Sequence, residues 1–140
     1  MLSSPEEIRE QLSAHGIQPT TQRVIIAQAM LERCAHYSAE DVFVLVNRES
    51  PRVSKATVYN TLGLFAERGL VREVIANPDR VFYDTNTTAH HHFFNTTTGQ
   101  LIDIPAESVK ISSLPAVPSG MKMEGVDVIV RVRPDPSRNP

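Results

Sequence analysis

The sequence predicts an α+β protein: an N-terminal winged helix-turn-helix followed by a small α/β dimerisation domain. Three observations predict it. Four segments with helical spacing of apolar residues, each behind a serine or threonine cap, precede residue 70; a proline-turn hairpin follows them directly; and strand-like apolar runs come after a short polar hinge. The expected boundaries are 1–84 for the reading domain, 85–88 for the hinge, 89–134 for the dimerisation domain and 135–140 for a disordered tail.

Ser4-Pro5-Glu6-Glu7 opens the first helix with a serine cap, a proline at the first helical position and a glutamate placed to close a capping box; Gly16 ends it. The second covers residues 20–33, with Val24, Ile26, Ala27, Met30 and Leu31 at helical spacing and Pro19 separating it from the first. The third starts at Ser38-Ala39-Glu40-Asp41, buries Val42, Leu45 and Val46, and stops before Ser50-Pro51; His36 lies in the loop that caps it. The fourth starts near Ser54, buries Val58, Leu62 and Phe65, and stops at Gly69. Residues 70–75 and 80–84 flank Asn77-Pro78-Asp79 as a hairpin. In a winged helix the helix before the hairpin is the one offered to the major groove.

Residues 85–88, Thr-Asn-Thr-Thr, form the hinge. His92-Phe93-Phe94, a Thr-Thr-Thr-Gly turn and residues 100–104 make a second hairpin, residues 106–114 read as weakly helical and punctuated by proline, and residues 126–132 alternate as a strand. A small sheet with an apolar edge cannot bury itself, so a homodimer seam is expected there.

The chain has 140 residues and 41% hydrophobic content, enough for one ordinary domain or two small ones. Its single cysteine, Cys34, closes no intramolecular disulfide, and there is no Cys-x-x-Cys pair for a structural zinc. A reducing compartment, the cytoplasm, is expected, with no membrane partner: no run is apolar enough to span a bilayer and the start does not resemble a signal peptide. Net charge is −2, and residues 1–84 hold nine of the 14 Lys and Arg against eleven of the 16 Asp and Glu. Binding to nucleic acid therefore needs basic groups placed on one face, not an excess of them.

Two constellations carry chemistry. Ser54, Lys55, Thr57, Tyr59 and Asn60 crowd the first turns of the fourth helix, where such side chains contact phosphates, hydrogen-bond base edges or pack on a thymine methyl. Arg23, Arg52 and Lys55 are the candidate phosphate contacts. A capped helix with no partner, or a protein adaptor, would show the same pattern. The second constellation is TTAHHHFFN, in which a strand would put His90 and His92 on one face and His91 on the other. A His-x-His pair is a two-ligand donor set for Fe, Mn, Zn or Ni, and added carboxylates shift it toward Fe(II) and Mn(II). A solvated cluster in a hinge is the plainer alternative.

PTTQRVIIAQAM, HYSAEDVF, VSKATVYNTLGLFAERGLV, FYDTNTTAHHHFF and TGQLIDI resemble, in order and spacing, the ferric uptake regulator (Fur) family of dimeric metal-dependent transcription factors. The resemblance runs from about residue 8 to 132 and implies a DNA reader hinged to a dimerisation sheet, with double-stranded DNA and a second copy as partners. It also implies a regulatory metal, Fe(II) or Mn(II), held by His36, Asp84, His90, His92 and Asp103. Asp84 stands eight residues before His92 and Asp103 eleven after it, as in the peroxide-sensing PerR branch, whose ligands are three histidines and two aspartates.

Several positions depart from the family pattern. Asn95 and Thr98 stand where the first zinc-binding Cys-x-x-Cys pair should lie and no second pair exists, so no structural four-cysteine zinc is expected; Val126 replaces a histidine of an additional family site. Missing cysteines, HHH and LIDI resemble the iron response regulator (Irr) branch, in which haem is the signal and the histidine run, here His90, His91 and His92, takes part in binding it. The Cys-Pro haem motif of some of that branch is absent, since Ala35 follows Cys34. Asn60 stands where arginine is common, which suits adenine and an A·T-rich inverted-repeat operator. The resulting expectation is a homodimeric regulator, a repressor, of iron or haem homeostasis, with a PerR-like peroxide sensor as the alternative. A metal-dependent hydrolase is disfavoured because five ligands leave no open position and no separate general base is evident. A metal store or chaperone would not need the capped helix and wing.

Overall fold

The computed structural model describes residues 4–32 and 35–138, so Cys34, and the last predicted residue of the second helix, Arg33, lie outside the described residues. The chain divides into two compact units, Met1–Thr87 and Thr88–Pro140.

The first unit contains α1 (Pro5–Ala14), α2 (Thr21–Leu31), β1 (His36–Tyr37), α3 (Ala39–Val46), α4 (Lys55–Glu67), β2 (Arg72–Asn77) and β3 (Arg80–Asp84). Each helix starts where its local sequence says it should. Ser4, Thr20, Ser38 and Ser54 take extended backbone, and each side-chain oxygen accepts the N–H three residues on; Glu7 and Asp41 close reciprocal boxes at α1 and α3. Gly69, at φ 77°, lets the chain leave α4 in the left-handed conformation while Leu70 N–H donates to Phe65 O at 2.9 Å. Leu70 and Val71 therefore finish the helix, and the strand predicted from residue 70 starts at Arg72.

Ile8, Leu12, Ile26, Met30, Val42, Val58, Leu62 and Phe65 are fully buried in one core shared by the four helices. Each such side chain contributes about 1.5–3 kcal/mol relative to exposure. Leu45, expected inside, is only half-buried.

The wing is a three-stranded antiparallel sheet in the order β1-β3-β2, with a bulge between Ile75 and Asn77. This corrects the placement of His36: it lies in β1, opposite Asp84 in β3, and not in a loop. A two-residue strand has no periodicity to read; its pairing is set by β3 and by Thr85, whose Oγ1 accepts from Ala35 N–H at 3.0 Å.

The second unit contains β4 (His90–Asn95), β5 (Leu101–Pro105) and β6 (Ile129–Val132), in the order β5-β4-β6. The first pair is antiparallel; the second is parallel. Two expectations need correction. The helical stretch predicted at 106–114 shrinks to a 3-10 turn, Ala106–Ser108, after which the chain runs without regular structure through Val128. The strand predicted over 126–132 forms only from Ile129; just before it, the Val128 N–H goes to a side chain, His91 Nδ1, at 3.0 Å, while the Val128 carbonyl accepts from His92 N–H at 3.2 Å. Phe93, Ile102 and Val130, 37%, 43% and 38% exposed, stand in register across the three strands as an apolar row. Of the tail, residues 135–138 make a turn in which Arg138 N–H donates to Asp135 O at 3.1 Å, and residues 139 and 140 lie outside the described residues. No helix among the described residues is long and apolar enough to cross a membrane.

Candidate metal centre and DNA-reading face

Alternation along β4 puts His90 and His92 on one face, and the β4–β5 register sets Asp103 opposite His92. Asp103 Oδ1 lies 3.3 Å from His92 Nε2 and 3.7 Å from His90 Nε2, and the imidazole centroids are 4.6 Å apart. Adjacent donors around an ion with ~2.1 Å bonds are about 3.0–3.4 Å apart, so these three side chains fit one divalent ion with small adjustments. The donor atoms of the three lie within 4.8 Å of one another.

His90 is oriented from behind: its Nδ1 is 2.7 Å from Thr88 O. Donating there places the proton on Nδ1 and makes Nε2 the acceptor nitrogen, the usual support for a metal-binding histidine. His90 and His92 are 5% and 1% exposed, while Asp103 is half-exposed, so the group opens to solvent on the carboxylate side.

In the first unit the wing brings together the other two candidates, His36 and Asp84. Asp84 is 1% exposed and its Oδ1 accepts from Asn86 N–H at 2.9 Å. His36 stands edge-on to Phe82, with centroids 6.1 Å apart and planes at 74°. A carboxylate buried this completely requires hydrogen bonds, counter-charge or a metal.

His91 does something else. It is buried at 9% exposure and its Nδ1 accepts the Val128 N–H, tying β4 to the segment that leads into β6. That bond puts the ring proton on Nε2, so His91 could ligate haem through Nε2 only by releasing Val128.

On α4, Tyr59 and Asn60 are exposed, the Tyr59 hydroxyl lying 3.5 Å from Glu40 Oε1, and the other predicted DNA residues are held by contacts of their own. Ser54 and Thr57 are engaged in the helix cap. Arg23 Nη1 donates to Gln18 O at 3.0 Å and Arg52 Nε to Val46 O at 3.2 Å, which orients both guanidinium groups. Lys55 Nζ lies 2.6 Å from Glu40 Oε1, and hydrogen bonding to that carboxylate raises the lysine pKa.

Two positioning residues were missed in the sequence. Asn47 bridges α3 and α4: its Nδ2 donates to Phe43 O and Val53 O, both at 2.9 Å, and its Oδ1 accepts from Arg52 N–H at 2.7 Å and Val53 N–H at 2.9 Å. Asn95 closes the β4–β5 turn, its Oδ1 accepting from Thr97 and Thr98 N–H at 2.9 and 3.0 Å. An asparagine between apolar runs signals a turn, but its partners depend on the tertiary path.

Comparison with known proteins agrees with this architecture. The model of the ferric uptake regulator family matches residues 14–131. The peroxide operon regulator of Bacillus subtilis (strain 168) is 30% identical over 119 residues, covering 84% of this chain and 82% of its own. The ferric uptake regulator of Pseudomonas aeruginosa, solved with manganese, is 25% identical, covers 90% of this chain and 96% of its own, and superimposes with a TM-score of 0.67. The Francisella tularensis ferric uptake regulator, solved with iron, shares the fold at TM-score 0.69 and 20% identity, with coverage of 89% and 96%. Winged-helix reader followed by an α/β dimerisation domain is the architecture of these neighbours. The chain belongs to the ferric uptake regulator family, whose members are transcriptional regulators and not enzymes.

Proposed function

We propose that this chain is a homodimeric, metal-gated DNA-binding repressor of iron or haem homeostasis. The observation that carries the metal reading is the convergence of His90, His92 and Asp103 on one point, with His90 oriented by Thr88. Fe(II) or Mn(II) would be held by these three together with His36 and Asp84, and would supply the charge that binds the ligand set. Two of the five side chains belong to the first unit and three to the second, so full ligation selects one arrangement of reader and dimer sheet. It favours DNA binding when that arrangement is the DNA-competent one. Support for the metal comes from the manganese-bound and iron-bound neighbours. The apolar row Ile102-Phe93-Val130 supplies a surface for the second copy.

Reading would fall to Tyr59 on thymine and Asn60 on adenine in an A·T-rich inverted repeat, with Arg23, Arg52 and Lys55 on phosphates. The absence of paired cysteines supports placement in the iron response branch, with haem as the signal at His90 to His92. A second reading, peroxide sensing, is favoured by the 30% identity to the peroxide operon regulator.

The test is operator affinity of the purified dimer at fixed salt, without metal, with Mn(II), and with haem added to the Mn(II) form. Tightening by Mn(II) and reversal by haem supports haem-responsive regulation. A Mn(II) requirement with no haem effect refutes that branch. Peroxide added to the Fe(II) form then decides the alternative, by an added oxygen on peptides containing His36 or His90. In Tyr59→Ala, DNA binding is lost while Mn(II) affinity stays; no response to the change points to a store.

A further inference from the structure

The face of α4 assigned to DNA carries a carboxylate that belongs to another helix. Glu40, in the first turn of α3, reaches across so that its Oε1 lies 2.6 Å from Lys55 Nζ and 3.5 Å from the Tyr59 hydroxyl. Lys55 and Tyr59 are one helical turn apart and share a face, so one acid addresses two of the residues that would meet the duplex. The second distance is at the outer limit of a hydrogen bond, which leaves the tyrosine ready to change partners. Both members of the ion pair are more than half exposed, at 57% and 56%, and such pairs add little to stability. The α3 cap is held by Ser38 and Asp41 and does not involve Glu40. Beside the pair, Glu40, Asp41, Tyr59, Asp79 and Arg80 border a cleft of about 330 Å³ between α3, α4 and the wing. A carboxylate at this place cannot hydrogen-bond a phosphate, whereas it accepts from the amino group of adenine or cytosine, a hydrogen-bond donor in the major groove.

We propose that Glu40 is a specificity-determining residue of the DNA-reading face: its carboxylate withholds Lys55 from the phosphates of arbitrary DNA, and on the operator it accepts a base amino group beside Tyr59. This rests on the reading of α4 as the DNA-binding helix. Binding to arbitrary duplex is almost wholly phosphate attraction, so Glu40 penalises it in full. On the operator the same carboxylate has a donor to satisfy it.

The experiment compares wild type with Glu40→Gln, both loaded with Mn(II), on two duplexes: one selected by the wild-type protein from a randomised pool, and one scrambled from it, across a salt series. Glutamine keeps an acceptor oxygen and removes the charge. The expected result for Glu40→Gln is a gain of about 5-fold or more on the scrambled duplex, with the log–log salt slope steeper by about 0.9, one added phosphate contact. The gain on the selected duplex is expected to be under about 2-fold, so discrimination falls. Lys55→Gln, made alone and with Glu40→Gln, is the control: in its background the added slope vanishes. Equal gains on both duplexes, no gain on either, or a slope change that persists without Lys55 overturns the proposal. A wild type that enriches no duplex from the pool overturns the DNA-reading assignment itself, and the Glu40 proposal with it.

Discussion

Asn47→Ala is the change that most directly tests how the reading helix is held. Asn47 makes four hydrogen bonds across the α3–α4 turn, two of them to Val53, which is 5% exposed and gives both its N–H and its C=O to this one side chain. Alanine leaves those two backbone groups buried without that partner, at roughly 1–2 kcal/mol each, while water re-solvates the exposed Arg52 N–H and the helix-end carbonyl at little cost. The expected loss is therefore about 3 kcal/mol. With a urea dependence of about 1.5 kcal/mol per molar, the unfolding midpoint falls by about 2 M at unchanged slope. The assay is urea denaturation followed by far-UV circular dichroism at fixed protein and Mn(II) concentration, since dimerisation and metal both shift apparent stability. Asn47→Asp keeps the two acceptor contacts and loses the two donors, so it should fall between wild type and alanine. A loss below about 0.5 kcal/mol for alanine would refute the argument, because it would mean the turn holds Val53 without the asparagine.

Other outcomes follow from the same geometry. Asp103→Ala removes the acid that faces both histidines, and isothermal titration should show Mn(II) affinity weakened by at least about 10–100-fold; an unchanged affinity would move the site elsewhere. Asn95→Ala opens the β4–β5 turn and should cost about 0.5–1 kcal/mol by urea titration, since water re-solvates the exposed Thr97 and Thr98 N–H groups, whereas a zinc chelator should leave the far-UV spectrum of the wild type unchanged; chelator-induced unfolding would reveal a structural metal. At α1, the Ser4 backbone N–H, and then its hydroxyl, lowers the Glu7 pKa in the folded state. The sign follows: this carboxylate's contribution is present above the ordinary carboxylate range and is lost as pH falls through the lowered folded value. NMR titration of the Glu7 carboxyl should give a midpoint below that of an unstructured peptide, and a midpoint at or above it would break the argument.

The candidate site was legible in unequal parts. The pair His90 and His92 was readable because strand alternation acts over two residues, and the caps Ser4, Thr20, Ser38 and Ser54 because each works within one helical turn. Resemblance to a family added Asp84, Asp103 and His36 by position, but not the strand that holds His36. The weak helix at 106–114 failed for the opposite reason: local propensity was the only signal, and no packed face stabilises it beyond Ser108.

Alone, the amino-acid order settled the four capped helices and the wing hairpin, since each is encoded in contacts between residues a few positions apart, and it left the histidine run open between a strand and a solvated hinge. Tertiary structure alone decided the partners that lie far apart in sequence. It paired His36 with Asp84, laid β6 parallel to β4, gave the Val128 amide to His91, aimed both faces of Asn47 at Val53 and set Glu40 against Lys55. The reason is physical: a pairing across tens of residues has no periodicity of its own, and only the packed path of the intervening chain brings its two ends within reach.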